Sequence, residues 1–103
     1  NVLRNAVRHA PEGSAVDVDL RCDDVSATVV VRDRGEGVPP EHLEDVFRPF
    51  FRIEGDRSRA SGGVGLGLAI ARRAVALHGG SIAAANAAPG LAVTIRIPLR
   101  PSR

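Results

Sequence analysis

Apolar residues recur at helical spacing in two stretches of the chain. In residues 1–9 they repeat every three or four positions, and a proline and a glycine shortly afterwards end the run. In residues 66–78 we expect a longer helix, with Ile70, Ala74 and Leu77 along one apolar stripe and two glycines as its stop. The pattern therefore predicts two helices, one at each end of a central region.

Four other stretches are predicted to be strands, and in the first and last of them apolar and polar residues alternate with a period of two, which is typical of strands with one buried face. They cover residues 16–22, 25–32, 81–86 and 91–98. A pair of aspartates separates the first two stretches, and a Pro-Gly pair separates the last two. Both separations are short enough for hairpins, so we expect neighbouring strands to pair in antiparallel fashion.

The region between these elements is less regular. Residues 33–40 cannot continue a strand, residues 41–47 could form a short helix opened by prolines, and residues 48–63 form a charged loop. A loop longer than about 12 residues usually has a function or is disordered. The order of elements predicts an α+β fold, a two-layer α/β sandwich whose mixed, mostly antiparallel sheet packs on helices.

Composition narrows the possible functions. A chain of 103 residues with 44% hydrophobic content suits one domain. All 14 basic residues are arginines, so Walker-type phosphate loops, the strand lysine of protein kinases and Schiff-base chemistry are excluded. The clustered Phe47, Phe50 and Phe51 offer no dispersed stacking surface for nucleic acid. A single cysteine and the short apolar runs indicate a cytoplasmic domain without membrane contact.

Two glycine-rich segments are candidates for binding chemistry. Residues 62–68 directly precede the longer helix, where backbone amides and the helix dipole can hold phosphate, although a flexible hinge is the alternative. Asp33, Gly35 and Gly37 follow a predicted strand. The carboxylate can accept a hydrogen bond from an exocyclic amine such as that of adenine, although an ordinary turn is also possible.

The opening helix carries a polar stripe. Asn1, Asn5 and His9 recur every four residues and so share a face, and an asparagine oxygen is a suitable ligand for Mg²⁺ beside substrate phosphates. Simple solvent exposure is the alternative. Arg8 could reach a phosphate, whereas Arg4 is read as a surface residue.

Together these segments resemble the ATPase domain of histidine kinases. Residues 1–9 resemble its N box, residues 33–37 its first glycine box, residues 47–64 its F box and ATP lid, and residues 63–68 its second glycine box. They stand in the order and approximate spacing of that family, so residues 1–103 are interpreted as one domain of this type. The family domain usually starts with a strand and half a helix before the N box, so we expect this chain to be N-terminally truncated, with an open edge of the sheet and pocket.

The resemblance implies a Bergerat-type site for ATP and Mg²⁺. It implies adenine on Asp33, Mg²⁺ on Asn5 and phosphates on the second glycine box, with Asn5 and Arg57 as the catalytic residues. The residues expected to contact nucleotide are Asn1, Asn5, Arg8, His9, Asp33, Gly35, Gly37, Val38, Phe47, Arg57, Gly63, Val64, Gly65, Leu66, Gly67 and Leu68.

The resemblance also implies a reaction. Related hydrolases place a water-activating glutamate where this chain has Asn1, which is a poor general base. We therefore expect a two-component protein histidine kinase domain that transfers the γ-phosphate of ATP to a histidine on a separate dimerisation domain, with a response regulator downstream. None of His9, His42 and His78 has the context of the phospho-acceptor, so this chain alone should not autophosphorylate. It would form the cytoplasmic part of a membrane-bound sensor.

Two alternatives remain. The chain could be a truncated interaction module of the same fold that binds nucleotide weakly, with an apolar sheet edge available to a partner. It could also be an anti-sigma serine kinase, which the acid stability of the phosphate on the acceptor would reveal.

Overall fold

The elements follow one another in the predicted order. The computed structural model describes residues 1–51 and 66–99. The described helices and strands are α1 (Val2–His9), β1 (Asp17–Cys22), β2 (Ser26–Arg32), α2 (Gly67–Leu77), β3 (Ser81–Asn86) and β4 (Leu91–Pro98). Instead of one short helix, residues 41–47 contribute to two single 3₁₀ turns, Pro40–His42 and Asp45–Phe47. No helix in the described ranges is long and apolar enough to cross a lipid bilayer.

The strands form a four-stranded sheet in the order β1-β2-β4-β3. Each pair of neighbouring strands in this sheet is antiparallel, and both predicted hairpins are present. The turn between β1 and β2 is held by Asp23, whose Oδ1 accepts hydrogen bonds from the backbone N–H groups of Val25 and Ser26, both at 2.8 Å. These two bonds lower the pKa of Asp23, because they stabilise its charged form.

The hydrophobic core lies between the helices and one face of this sheet. Its buried members are Val2, Ala6, Val31, Phe47, Leu68, Ala71, Leu91 and Val93. Phe47 lies among these aliphatic side chains, and the guanidinium carbon of Arg72 stands 5.6 Å from the centre of its ring. That distance is within the range of a cation–π interaction, so Arg72 helps to fix the segment after β2 against α2.

The predicted apolar stripe of α2 was wrong. Ile70 and Leu77 are 52% and 74% exposed, and Ala74 is exposed as well. The helix instead buries the parallel stripe formed by Leu68, Ala71 and Val75. Apart from its paired arginines this helix is apolar or glycine at every position, so periodicity alone could not decide which stripe faces the sheet.

An apolar surface stays exposed beside the core. Val18 and Leu20 of β1 stand opposite Val31 and Val29 in the sheet register and therefore share the face that carries the core. Val18 and Leu20 are nevertheless exposed, as are Leu3 and Val7 of α1. We call Leu3, Val7, Val18 and Leu20 the open apolar face.

Candidate nucleotide-binding site

The carboxylate of Asp33 lies at the end of β2 and is held by the backbone. The backbone N–H of Asp33 donates to the carbonyl oxygen of Leu91 at 3.0 Å and so extends the hydrogen-bond ladder between β2 and β4. Its Oδ1 accepts from the N–H groups of Gly35 at 2.9 Å and Leu91 at 3.2 Å. Asp33 is only 3% exposed. Within residues 1–51 and 66–99 no group donates to the other oxygen, Oδ2, so a ligand amine could use it.

The first glycine box packs against the C-terminal end of α1. A Cβ atom added to Gly35 would lie only 2.5 Å from the carbonyl oxygen of His9 and 3.2 Å from Oδ1 of Asp33. A side chain at this position would collide with the backbone of the helix. The residue must therefore be glycine for the loop and α1 to approach this closely.

The N-terminal end of α1 lies beside the start of α2. A Cβ added to Gly67 would be 3.9 Å from the carbonyl oxygen of Asn1, which is ordinary van der Waals contact. The half-buried Asn5 is one turn further along α1, where its N–H donates to that same carbonyl at 2.9 Å. α1 therefore runs from the second glycine box to the first, with Asn5 between them.

The start of α2 has the features of an anion site. The helix begins at Gly67, and Leu66 at its N-cap position makes no side-chain capping hydrogen bond. The first N–H groups of a helix have no partner within the helix, and the dipole favours negative charge there. Leu66 and Gly67 are half-buried, whereas Leu68 is buried in the core. The backbone N–H of Gly67 is thus available to an anion, and Leu68 anchors the helix in the core.

The other predicted site residues are distributed more widely. Arg8 and His9 are exposed at the end of α1, and Val38 is half-buried after the first glycine box. Phe47 is buried in the core, where it supports α2. The remaining predicted residues, Arg57, Gly63, Val64 and Gly65, lie outside the described residues, as does most of the predicted lid.

A small polar cluster lies next to Phe47. Asp45 accepts from Nδ1 of His42 at 3.1 Å and from Nη1 of Arg48 at 3.3 Å. These bonds lower the pKa of Asp45 because they stabilise its charged form, and the bond from His42 has the largest effect. The ring of His42 also lies 5.2 Å, centre to centre, from the ring of Phe51. The contacts tie the two 3₁₀ turns to the chain that follows them.

The turn between β3 and β4 supports the first glycine box, a contact that the sequence did not predict. The side chain of Asn86 bonds to both backbone groups of Val38, and Nη2 of Arg32 donates to the carbonyl oxygens of Ala87 at 3.3 Å and Pro89 at 3.1 Å. The only signal in the sequence was an isolated asparagine within the alanine-rich residues 83–88.

Comparison with known proteins identifies the family. The profile of the histidine kinase-, DNA gyrase B-, and HSP90-like ATPases matches residues 1–101. The chain belongs to this ATPase family. The predicted resemblance is thereby confirmed, and the domain is of a type that binds ATP.

Among its relatives are sensor kinases. The domain is 42% identical over 98 residues to the sensor protein PfeS of Pseudomonas aeruginosa, covering 95% of this chain and 21% of that protein. It is 41% identical over 100 residues to the sensor histidine kinase CpxA of Escherichia coli, covering 96% of this chain and 21% of that protein. The chain therefore spans about a fifth of the length of these relatives.

Solved structures agree with the fold. The mycobacterial sensor histidine kinase MprB superposes with a TM-score of 0.85 at 40% identity, over 98% of this chain and 69% of that one. The nucleotide-free catalytic domain of the histidine kinase ThkA superposes with a TM-score of 0.81 at 29% identity, over 97% of this chain and 63% of that one. The predicted two-layer α+β fold is confirmed, and it is that of histidine kinase catalytic domains.

Proposed function

We propose that this domain binds ATP with Mg²⁺ in a two-component sensor histidine kinase and presents the γ-phosphate to a histidine on a separate dimerisation domain. The observation that carries the proposal is the position of α1, which contacts Gly35 at one end and lies beside Gly67 at the other. One short helix thus connects the segment suited to adenine with the segment suited to phosphate, and Asn5 lies between the two.

The described residues suit the nucleotide and the metal. Oδ2 of Asp33 would accept the hydrogen bond of the adenine amine, since Oδ1 already accepts two backbone N–H groups. Asn5 would offer its side-chain oxygen to Mg²⁺, which binds through few protein groups together with phosphates and water. The metal would supply positive charge that offsets the charge of the phosphates. The amides at the start of α2 would hold the phosphates in place.

The role of the domain would be to position and neutralise rather than to activate a nucleophile. Asn1, one turn before Asn5, is a poor base for activating water, which favours transfer over hydrolysis. A neutral imidazole nitrogen on the partner domain would attack the γ-phosphorus while the bond to the bridging oxygen breaks and ADP leaves, and the ring would then release its other N–H proton. Alignment with electrostatic stabilisation carries most of the catalysis in such transfers. Arg57 is proposed to contact the phosphates as well, as the family resemblance implies.

The partners are proposed from the relatives. The histidine kinase ThkA has been solved in complex with the response regulator protein TrrA, and superposes on this chain with a TM-score of 0.76 at 27% identity. By analogy, a response regulator would receive the phosphate from the dimerisation domain. We place the domain in the cytoplasm, as part of a membrane-bound sensor.

Calorimetric titration with a non-hydrolysable ATP analogue, with and without Mg²⁺, tests the proposal. Wild-type binding should strengthen when Mg²⁺ is added, and Asn5→Ala should lose most of that gain because the oxygen ligand is gone. Arg4→Ala, on the exposed side of the same helix, is the matched control and should keep it. Both substitutions favour helix formation, so neither should unfold α1. An equal gain from Mg²⁺ in Asn5→Ala would contradict the metal role.

The open apolar face favours a second candidate, an interaction module. Val18 and Leu20 are exposed large aliphatic side chains on the core-bearing face of β1, and Leu3 and Val7 are exposed on α1. Exposed apolar surface of this kind often marks an interface. Size-exclusion chromatography across a range of concentrations distinguishes the two. Association that Leu20→Ser abolishes, in a chain that binds no nucleotide, would favour the module. A monomer at high concentration would count against it.

A further inference from the structure

The side chain of Asn86 acts as a substitute for a strand partner. Asn86 is the last residue of β3, and its Oδ1 accepts from the N–H of Val38 at 2.8 Å while its Nδ2 donates to the carbonyl oxygen of Val38 at 2.6 Å. One planar amide thereby satisfies both backbone groups of a residue 48 positions away in sequence. The pair of bonds fixes the orientation of the peptide groups on both sides of Val38.

The residue before Val38 is packed against the same amide. Gly37 has a φ of +79°, which favours glycine. A Cβ there would also lie 2.5 Å from Oδ1 of Asn86 and 3.1 Å from the carbonyl oxygen of Gly90. The glycine is therefore needed for the approach to Asn86 as well as for its backbone angle. The end of the first glycine box rests on the β3–β4 turn.

That turn is itself held to the strand that leads into Asp33. Ala87 donates its N–H to the carbonyl oxygen of Gly90 at 2.9 Å, which closes the turn. Arg32, directly before Asp33, donates to two carbonyl oxygens of the same turn. A Cβ on Gly90 would overlap the backbone of Asp33. The turn thus contacts the first glycine box at its beginning and, through Asn86, at its end.

We propose that Asn86 is a positioning residue for nucleotide binding, an inference that rests on the proposed function. It contacts the backbone of Val38 and acts on ATP only through the loop. By holding Val38 it keeps the loop of residues 33–38 in the conformation in which Gly35 lies against α1 and the carboxylate of Asp33 accepts from the N–H of Gly35. Without it the loop would sample other conformations, and the apparent affinity would fall by the fraction of time spent in them.

The substitution Asn86→Ala removes both bonds but should spare the fold. Asn86 is exposed and Val38 is half-buried, so water can replace the lost partners. We expect the ATP analogue to bind about tenfold more weakly, the size of effect given by losing one or two ordinary hydrogen bonds. The exposed Ser81→Ala, at the opposite end of β3, is the matched control and should bind as the wild type does.

The substitution Asn86→Asp separates positioning from a general structural effect. At neutral pH its carboxylate can still accept from the N–H of Val38 but faces the carbonyl oxygen as an acceptor without a proton. A protonated carboxyl can donate to that oxygen, as the amide does. We therefore expect the affinity of Asn86→Asp, relative to wild type at each pH, to stay low from pH 7.5 to about 5.5 and to recover as the pH falls to about 4 and the group takes up its proton. The ratio for Asn86→Ala should stay constant.

Amide hydrogen exchange completes the experiment. The N–H of Val38 should be protected in the wild type and exchange faster in Asn86→Ala, whereas it should be unchanged in Ser81→Ala. Wild-type affinity in Asn86→Ala, or an Asn86→Asp ratio that ignores pH, would overturn the positioning role while leaving the proposed function intact. A wild-type chain that is folded and binds no nucleotide would instead overturn the proposed function, and the positioning role with it.

Discussion

The proposed contact between Asp33 and adenine can be tested by changing the carboxylate in the protein and the amino group in the ligand. Asp33→Asn keeps the size of the side chain and can keep Oδ1 as the acceptor for the N–H groups of Gly35 and Leu91. The amide nitrogen must then take the place of Oδ2, because the reverse orientation would point a donor at two backbone donors. The variant should therefore fold, with an N–H₂ group directed at the adenine amine.

The expected loss follows from the bond that disappears. A hydrogen bond to a charged group contributes about 1.5 to 3 kcal/mol, and every 1.4 kcal/mol is about a factor of ten in the dissociation constant. The low exposure of Asp33, 3%, leaves little water to replace the bond, so the upper part of that range applies. Asp33→Asn should weaken binding of the ATP analogue roughly 30- to 150-fold.

The assay is a calorimetric titration with two ligands, the ATP analogue and the corresponding purine nucleotide that lacks the 6-amino group. The wild type should bind the second ligand much more weakly than the first, whereas Asp33→Asn should bind both about equally. Asp19→Asn is the matched control, since that carboxylate is exposed and paired only with Arg21 among the described residues. Thermal unfolding of each variant confirms that it is folded. If Asp33→Asn weakened both ligands by the same factor, the contact with the amine would be refuted.

Two further substitutions test the packing of the loop and the hairpin. Gly35→Ala places a methyl group 2.5 Å from the carbonyl oxygen of His9. It should therefore reduce the free energy of unfolding by about 1 to 3 kcal/mol and weaken nucleotide binding. A denaturation curve like that of the wild type would show that α1 and the loop are not in contact. The pKa of Asp23 is lowered from its ordinary value of 3.8 by the N–H groups of Val25 and Ser26, so its stabilising contribution is present above that value and is lost as the pH falls through its folded-state pKa. Urea midpoints measured from pH 6 to pH 3 should therefore converge for wild type and Asp23→Asn at the acid end, and a difference that stays constant would contradict this account.

The strands and the motifs could be predicted from local pattern because their signals are local. Alternating side chains in residues 25–32 and 91–98 place every second residue on the core face, which is a property of the extended backbone itself. The glycines of the first glycine box and the asparagine at position 5 can be identified by residue type and spacing. Their order along the chain indicated the family before any contact was known.

Other features depended on where separate segments meet. All sides of α2 are apolar except the side that carries the two arginines, so periodicity could not identify the buried stripe of Leu68, Ala71 and Val75. The packing of α1 and Phe47 against α2 decided which stripe is buried. In the same way, the exposure of Leu20 depends on which other segment covers β1, and the alternation of apolar and polar residues along β1 does not predict that.

The sequence by itself determined the two α-helices, the four strands, the α+β class and the family, because each rests on short-range spacing of residue types. Only the tertiary structure decided that α1 joins the two glycine boxes and that Asn86 holds Val38 across 48 positions. Such contacts depend on the sheet order, which sets β4 between β2 and β3 and so brings the β3–β4 turn into contact with the loop after β2. A hydrogen bond is specific only once its two partners are brought within about 3 Å, and for residues this far apart only the fold does that.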